Sequence, residues 1–229
     1  MARPQKLTTP VMEDYIKSIY KLQVDGNPVS TTNLSKKMQI SPAAITKMLK
    51  SLAAANLIEY TPYYGVTLTV SGERIALEII RHHRLLEVYL CSALGYSWDE
   101  VDAEAEKLEH HISEDFEERI DKMLNYPSTD PHGDPIPTRE GFMPMQLGNP
   151  LSDCQAGESV VVRRVRDSDS AVLRFLTKIG ICLETQITIL ERQPFNGPMR
   201  IRIGEIDHSI GLELAGHLFV EPVIAGGMH

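Results

Sequence analysis

Tryptophan occurs once and cysteine three times in the 229 residues, and aromatic side chains make up only 6%. Cys91, Cys154 and Cys182 are scattered, with no Cys-x-x-Cys pair. That excludes a disulfide framework and a thiolate zinc site, and it fits a reducing compartment. Each thiol is expected to be a small buried hydrophobe. No apolar run reaches about 18 residues, so no transmembrane helix is expected. The start, Met1-Ala2-Arg3-Pro4-Gln5-Lys6-Leu7, lacks the apolar centre of a signal peptide, and a cytoplasmic location follows. Internal repeats, low-complexity tracts and nucleophile motifs are missing as well, so the expectation is that the chain is not an enzyme.

An excess of positive charge is also lacking. The net charge of −8 argues at first against a nucleic-acid partner. Its distribution argues the other way. Residues 1–70 carry eight basic and four acidic side chains, net +4. Residues 71–150 carry seven and seventeen, net −10, and residues 151–229 carry eight and ten, net −2. A basic front can meet phosphates, and an acidic middle can meet cations.

What is there begins with three short helices. Thr8-Thr9-Pro10 can cap the first, where Met12, Tyr15, Ile16, Ile19 and Leu22 recur at helical spacing. Asp25-Gly26-Asn27-Pro28 stops it, and Ser30-Thr31 opens the second. Ser41 then caps a third helix with Pro42 at its first position. Ile45, Met48, Leu49 and Leu52 face inward there; Ala43, Ala44, Thr46, Lys47 and Lys50 face outward. This pair of helices around a tight turn matches a helix-turn-helix. Pro42, Ala43 and Ala44 would let the backbone approach a groove. Thr46 and Lys47 can reach base edges, and Lys36, Lys37 and Lys50 can neutralise phosphates. Two β-rich runs around Pro62-Tyr63-Tyr64-Gly65 follow directly and read as a wing. An ordinary three-helix core is the competing reading.

The acidic middle holds a helix expected over Val101–Ser113. Glu106, Glu109 and His110 stand at i, i+3 and i+4 on one face, with Asp102 a turn earlier. By itself such a stripe fits a solvated acidic face better than a cation site. One helix earlier, His83 and Glu87 stand at i, i+4, a spacing that suits a helix salt bridge or a shared cation. From Asn125 to Pro150 the chain is rich in Pro and Gly, and His132 reads as a loop residue. After Leu151 the pattern changes to period two. Ser159–Val162, Gln186–Leu190, Met199–Ile203 and Leu218–Val220 suggest a small barrel of about five strands. The fold class is mainly α with a small β domain.

Four ordered motifs resemble the diphtheria toxin repressor family of metal-dependent transcriptional regulators. They are Thr9-Pro10-Val11-Met12-Glu13-Asp14-Tyr15-Ile16, Ser41-Pro42-Ala43-Ala44-Ile45-Thr46-Lys47-Met48, Arg81-His82-His83-Arg84-Leu85-Leu86-Glu87 and Ala105-Glu106-Lys107-Leu108-Glu109-His110-His111-Ile112-Ser113. The likeness runs from about Thr8 to Pro137, and the final barrel is similar to the SH3-like (FeoA-like) domain of longer members. The resemblance implies a winged helix-turn-helix over 1–72, a helical dimerisation and metal-binding domain over 73–140, a linker over 141–150 and the barrel over 151–229. It implies a homodimer on double-stranded operator DNA and about two metal sites per subunit. One would take Asp14, Glu106, Glu109 and His110. The other would take His83 and Glu87, with Asp102 as a third ligand and Asp167 or Asp169 as barrel candidates.

Manganese-responsive members resemble this chain in having carboxylates at the positions of Asp14 and Glu106, where iron-responsive members have Met and Cys. Hard oxygen ligands suit Mn²⁺, with Fe²⁺ a close competitor. Lys17 stands where the manganese type has a second carboxylate, which points to separated sites rather than a paired cluster. The implied function is a metal-activated repressor of manganese or iron uptake genes. Two other classes stay open: a metalloenzyme built on the same Asp, Glu and His side chains, and a regulator that senses an organic ligand.

Overall fold

The computed structural model describes residues 8–23, 28–146, 148–166 and 169–223. The turn at Asp25-Gly26-Asn27 and the candidate Asp167 lie outside them. The chain divides into two compact units, Met1–His83 with Glu109–Ile112 and Pro137–Met143, and Arg84–Leu108 with Ser113–Ile136 and Pro144–His229.

The first unit begins with α1 (Pro10–Gln23), α2 (Thr31–Met38) and α3 (Pro42–Ala54). The caps are those the sequence offers. Thr9 accepts from the Met12 amide at 3.3 Å, Ser30 from Asn33 at 3.0 Å and Ser41 from Ala44 at 3.4 Å. Pro42 opens α3, where its missing N–H leaves no hydrogen bond unmade. Ile16, Ile19, Leu34, Ile45, Leu49 and Leu52 are fully buried and form one core. The wing is an antiparallel hairpin of β1 (Ile58–Thr61) and β2 (Gly65–Leu68), with Val29 bridging to Val66 beside it. Thr69 then caps α4 (Val70–Leu94) by accepting from the Gly72 amide at 3.1 Å.

The helix expected over Val101–Ser113 is shorter than its sequence suggests. It runs as α5 from Val101 to Leu108, and residues 109–111 form a turn. The physical reason lies in the backbone of Glu109. Its carbonyl accepts from His82 Nδ1 at 3.1 Å, within the first unit, which satisfies it without a further helical turn. Ser113 then caps α6 (Glu114–Met123), accepting from Phe116 at 3.2 Å.

In the second unit, Leu85, Ile120 and Ile136 pack together with Val88 and Tyr89. Beyond residue 148 come β3 (Asn149–Pro150), β4 (Ser159–Val165), α7 (Ser170–Lys178), β5 (Gln186–Arg192), β6 (Met199–Ile203), β7 (Ile206–Ile210), α8 (Leu212–His217) and β8 (Leu218–Pro222). The strands form one antiparallel sheet ordered β3-β8-β4-β5-β6-β7. The small β domain is as the alternation predicts. The two short helices, α7 and α8, were not legible in the period-two pattern. Cys154 lies in the sheet's core, Cys91 is half-buried, and Cys182 is exposed, with its thiol 3.4 Å from the Thr185 hydroxyl. The expectation of three buried thiols therefore holds at Cys154, is met only in part at Cys91 and fails at Cys182.

The loop before the barrel is fastened to it. The Val165 amide donates to the His132 carbonyl at 2.8 Å, and Trp98 Nε1 donates to Thr177 at 2.8 Å. Gly133 has φ +87°, and a Cβ there would lie 2.1 Å from the Arg163 carbonyl oxygen. Only glycine fits on both counts. Gly133→Ala should lower unfolding stability by roughly 2 kcal/mol or more, from strain and steric overlap together. Urea denaturation followed by circular dichroism measures it.

Candidate metal centres and nucleic-acid interface

The recognition surface follows from how α3 is built. Its apolar positions turn into the core, which leaves Pro42, Ala43, Ala44, Lys47 and Lys50 exposed and Thr46 half-exposed. Lys36 and Lys37 are exposed on the last turn of α2. Small side chains at the start of α3 keep its backbone accessible, and the four lysines give the face its positive charge. Thr46 differs in detail from the sequence reading. Its hydroxyl donates to the Pro42 carbonyl at 2.8 Å, so it meets an outside partner as an acceptor.

The first unit also gathers a buried ionic cluster. Asp14, Glu109 and His110 each offer a ligand atom, all within 4.8 Å of one another. Asp14 comes from α1, and Glu109 and His110 come from the turn after α5. His110 Nδ1 donates to Glu13 Oε2 at 2.7 Å, and its Nε2 donates to Asp14 Oδ1 at 2.8 Å. With both ring nitrogens donating, the imidazole is protonated. The hydrogen bonds to Asp14 and Glu13 hold its pKa up at about 9, against the effect of burial. Glu109 is completely buried. Lys17 Nζ lies 2.7 and 2.8 Å from its two oxygens, and His83 Nδ1 donates to Oε2 at 2.6 Å.

Glu13 and Lys17 were missed as members of this cluster. The sequence marks Lys17 only as standing at a family carboxylate position and Glu13 only within a motif, yet Glu13 is 0% and Lys17 5% exposed. Thr8 donates to Glu13 at 2.6 Å, a contact that sequence spacing does not announce.

The second unit brings together a different set. Glu87, Asp130 and His132 offer ligand atoms within 4.8 Å of one another, and all three are buried. Glu87 and Asp102 likewise approach within 4.8 Å. His132 Nε2 donates to the Trp98 carbonyl at 2.7 Å. That fixes the ring so that Nδ1 faces Glu87 at 3.6 Å and Asp130 at 3.9 Å. These separations are too long for hydrogen bonds and leave room for a cation between the donors. Burial, with Glu87 and Asp134 nearby, pushes the Asp130 carboxyl up to about 7. His132, read from sequence as a loop residue, is therefore a buried candidate ligand. Its neighbour Asp130 folds the loop by accepting from the His132 and Asp134 amides at 2.8 and 3.0 Å. Of the remaining candidates, Glu106 is exposed on α5, and Asp169 caps α7 by accepting from Ala171 at 2.8 Å.

A winged helix-turn-helix and buried carboxylate–imidazole clusters in one chain define a DNA-binding protein equipped for divalent cations. Comparison with known proteins agrees. Residues 7–66 match the iron dependent repressor N-terminal DNA binding domain, residues 69–138 its metal binding and dimerisation domain, and residues 149–222 the FeoA domain. The iron-dependent repressor IdeR of Mycobacterium tuberculosis is 28% identical over 226 residues, spanning 92% of this chain and 96% of that protein. The HTH-type transcriptional regulator MntR of Bacillus subtilis is 31% identical over 120 residues, 52% of this chain and 84% of that protein. A solved manganese-dependent transcriptional repressor in complex with manganese superposes with a TM-score of 0.84 at 36% identity, covering 93% of this chain and 100% of that one. The chain belongs to the iron-dependent repressor family, in the form that carries a C-terminal FeoA domain.

The His110 geometry fixes a pH dependence for the metal-free protein. Its folded pKa of about 9 lies above the value of about 6.5 for an unperturbed imidazole. Its stabilising contribution is then complete below about pH 6.5 and lost as pH rises through about 9. In chelator, the melting-temperature gap between wild type and His110→Gln should be widest near pH 6 and shrink by pH 9.5. A gap that stays constant over that range would contradict the assignment.

Proposed function

We propose that the chain is a metal-activated repressor of manganese or iron uptake genes, acting as a homodimer on double-stranded operator DNA. The observation that carries this reading is the convergence of Asp14, on the first helix of the DNA-binding segment, with Glu109 and His110. The donor set fits the metal: two carboxylates and an imidazole within reach of one ion are hard ligands suited to Mn²⁺, with Fe²⁺ second. Asp14, Glu106, Glu109 and His110 would hold it. Glu87 and Asp102, which the family resemblance groups with His83, would form the second set, which Asp130 and His132 would extend. When bound there, a metal would supply positive charge shared by Asp14, Glu109 and His110 and would lower the negative potential near DNA.

The protein's own residues do the rest. His110 must give up its proton before either ring nitrogen can act as a ligand, so metal uptake is linked to proton release. Pro42, Ala43, Ala44, Thr46 and Lys47 approach base edges, while Lys36, Lys37 and Lys50 neutralise phosphates. Segments 1–72, 73–140 and 151–229 act as DNA-binding, dimerisation and barrel parts around a linker at 141–150. The likeness to manganese-dependent and iron-dependent repressors supports the same reading.

The test is fluorescence anisotropy on DNA from upstream of the metal-transporter genes of the source genome, with Mn²⁺ and with chelator. Equal affinity in both would sink the proposal. Glu106→Ala should keep the fold and lose the metal dependence. Lys47→Ala should weaken binding to that DNA about ten-fold or more, the cost of a base contact, and leave Mn²⁺ affinity unchanged in calorimetry.

A further inference from the structure

We propose that Lys17 is a displaceable latch on the metal site, its ammonium holding the Glu109 carboxylate until a divalent cation competes for it. This rests on the reading of Asp14, Glu109 and His110 as metal ligands. A carboxylate offers about four lone-pair positions. At Glu109 three are taken by hydrogen bonds, and the His110 imidazolium lies against the same carboxylate. Lys17 contacts both oxygens at 2.7 and 2.8 Å, His83 lies 2.6 Å from Oε2, and His110 Nε2 lies 3.3 Å from Oε1. Glu109 is 0% and Lys17 5% exposed, so water cannot take over a contact that is lost. A metal that binds Glu109 must therefore displace one of these groups. Lys17 is the one with a flexible stem and only a point charge to surrender.

Its place on α1 gives the exchange a direction. Asp14 and Lys17 are three residues apart, on one face of the helix. The same helix thus presents Glu109 with a cation of its own and, one turn away, with an acid that the His110 imidazolium holds. Without metal, α1 is held to the Glu109 turn through Lys17 and through the His110 bonds to Glu13 and Asp14. With metal, it is held through Asp14. Lys17 stabilises the metal-free form in competition with the ion. It therefore raises the metal concentration at which the site fills.

The experiment is calorimetric titration of the full-length protein with MnCl₂, together with thermal melting in chelator. Lys17→Met removes the charge and keeps the length of the side chain. It should bind Mn²⁺ about ten-fold more tightly and melt at a lower temperature when metal-free, as expected on losing a buried partner. Equal or weaker Mn²⁺ affinity in the folded variant overturns the latch. If circular dichroism shows that Lys17→Met does not fold, Lys17→Arg decides. Its guanidinium grips both oxygens more firmly and should weaken Mn²⁺ binding several-fold. Unchanged or tighter binding there overturns the proposal. A wild-type protein that takes up no Mn²⁺ refutes the metal-site reading itself, whereas normal wild-type uptake with an unaltered variant refutes only the latch.

Discussion

A fully buried glutamate is the constraint around which the first unit is arranged. Glu109 has no solvent to stabilise its charge, and an uncompensated carboxylate in such a place costs several kcal/mol. The chain answers with Lys17 from α1, His83 from α4 and the adjacent His110. The first two contacts tie α1 and α4 to the turn after α5. The carbonyl of the same residue, taken by His82, ends that helix. One residue thus decides where α5 stops, which face of α1 turns inward and which way two histidine rings point.

This arrangement changes how the metal-free state is understood. A cluster of carboxylates suggests repulsion that only a metal relieves. Here protons and an ammonium already balance the charge, since His110 is protonated between Glu13 and Asp14. On the proposed reading of this cluster as a metal site, metal uptake would be an exchange of cations rather than the filling of a negative void. An exchange responds to pH as well as to metal.

Much of the fold was legible in the sequence because its signals are local. Ser30, Ser41 and Ser113 cap the helices that follow them, and the apolar spacing of α1 and α3 marks their inward faces. Asp14, Glu109 and His110 were legible through helical spacing and family resemblance. Glu13, Lys17, Asp130 and His132 were not. The partners that bury the first two, Glu109 for Lys17 and His110 for Glu13, lie 92 and 97 residues further along. The last two sit in a Pro- and Gly-rich loop with no period, and their burial depends on β4, more than twenty residues further along. The end of α5 was missed for the same reason: a histidine 27 residues earlier accounts for it.

Trp98 gives the second cluster an optical signature. It is the only tryptophan in the chain. Its ring stacks on His132 with centroids 6.0 Å apart and planes 19° from parallel, and its carbonyl receives the Nε2 proton. Its indole N–H is anchored on Thr177 of α7. The protein's entire indole emission therefore originates beside one candidate ligand. Light absorbed and re-emitted at that ring samples the surroundings of His132 without any label.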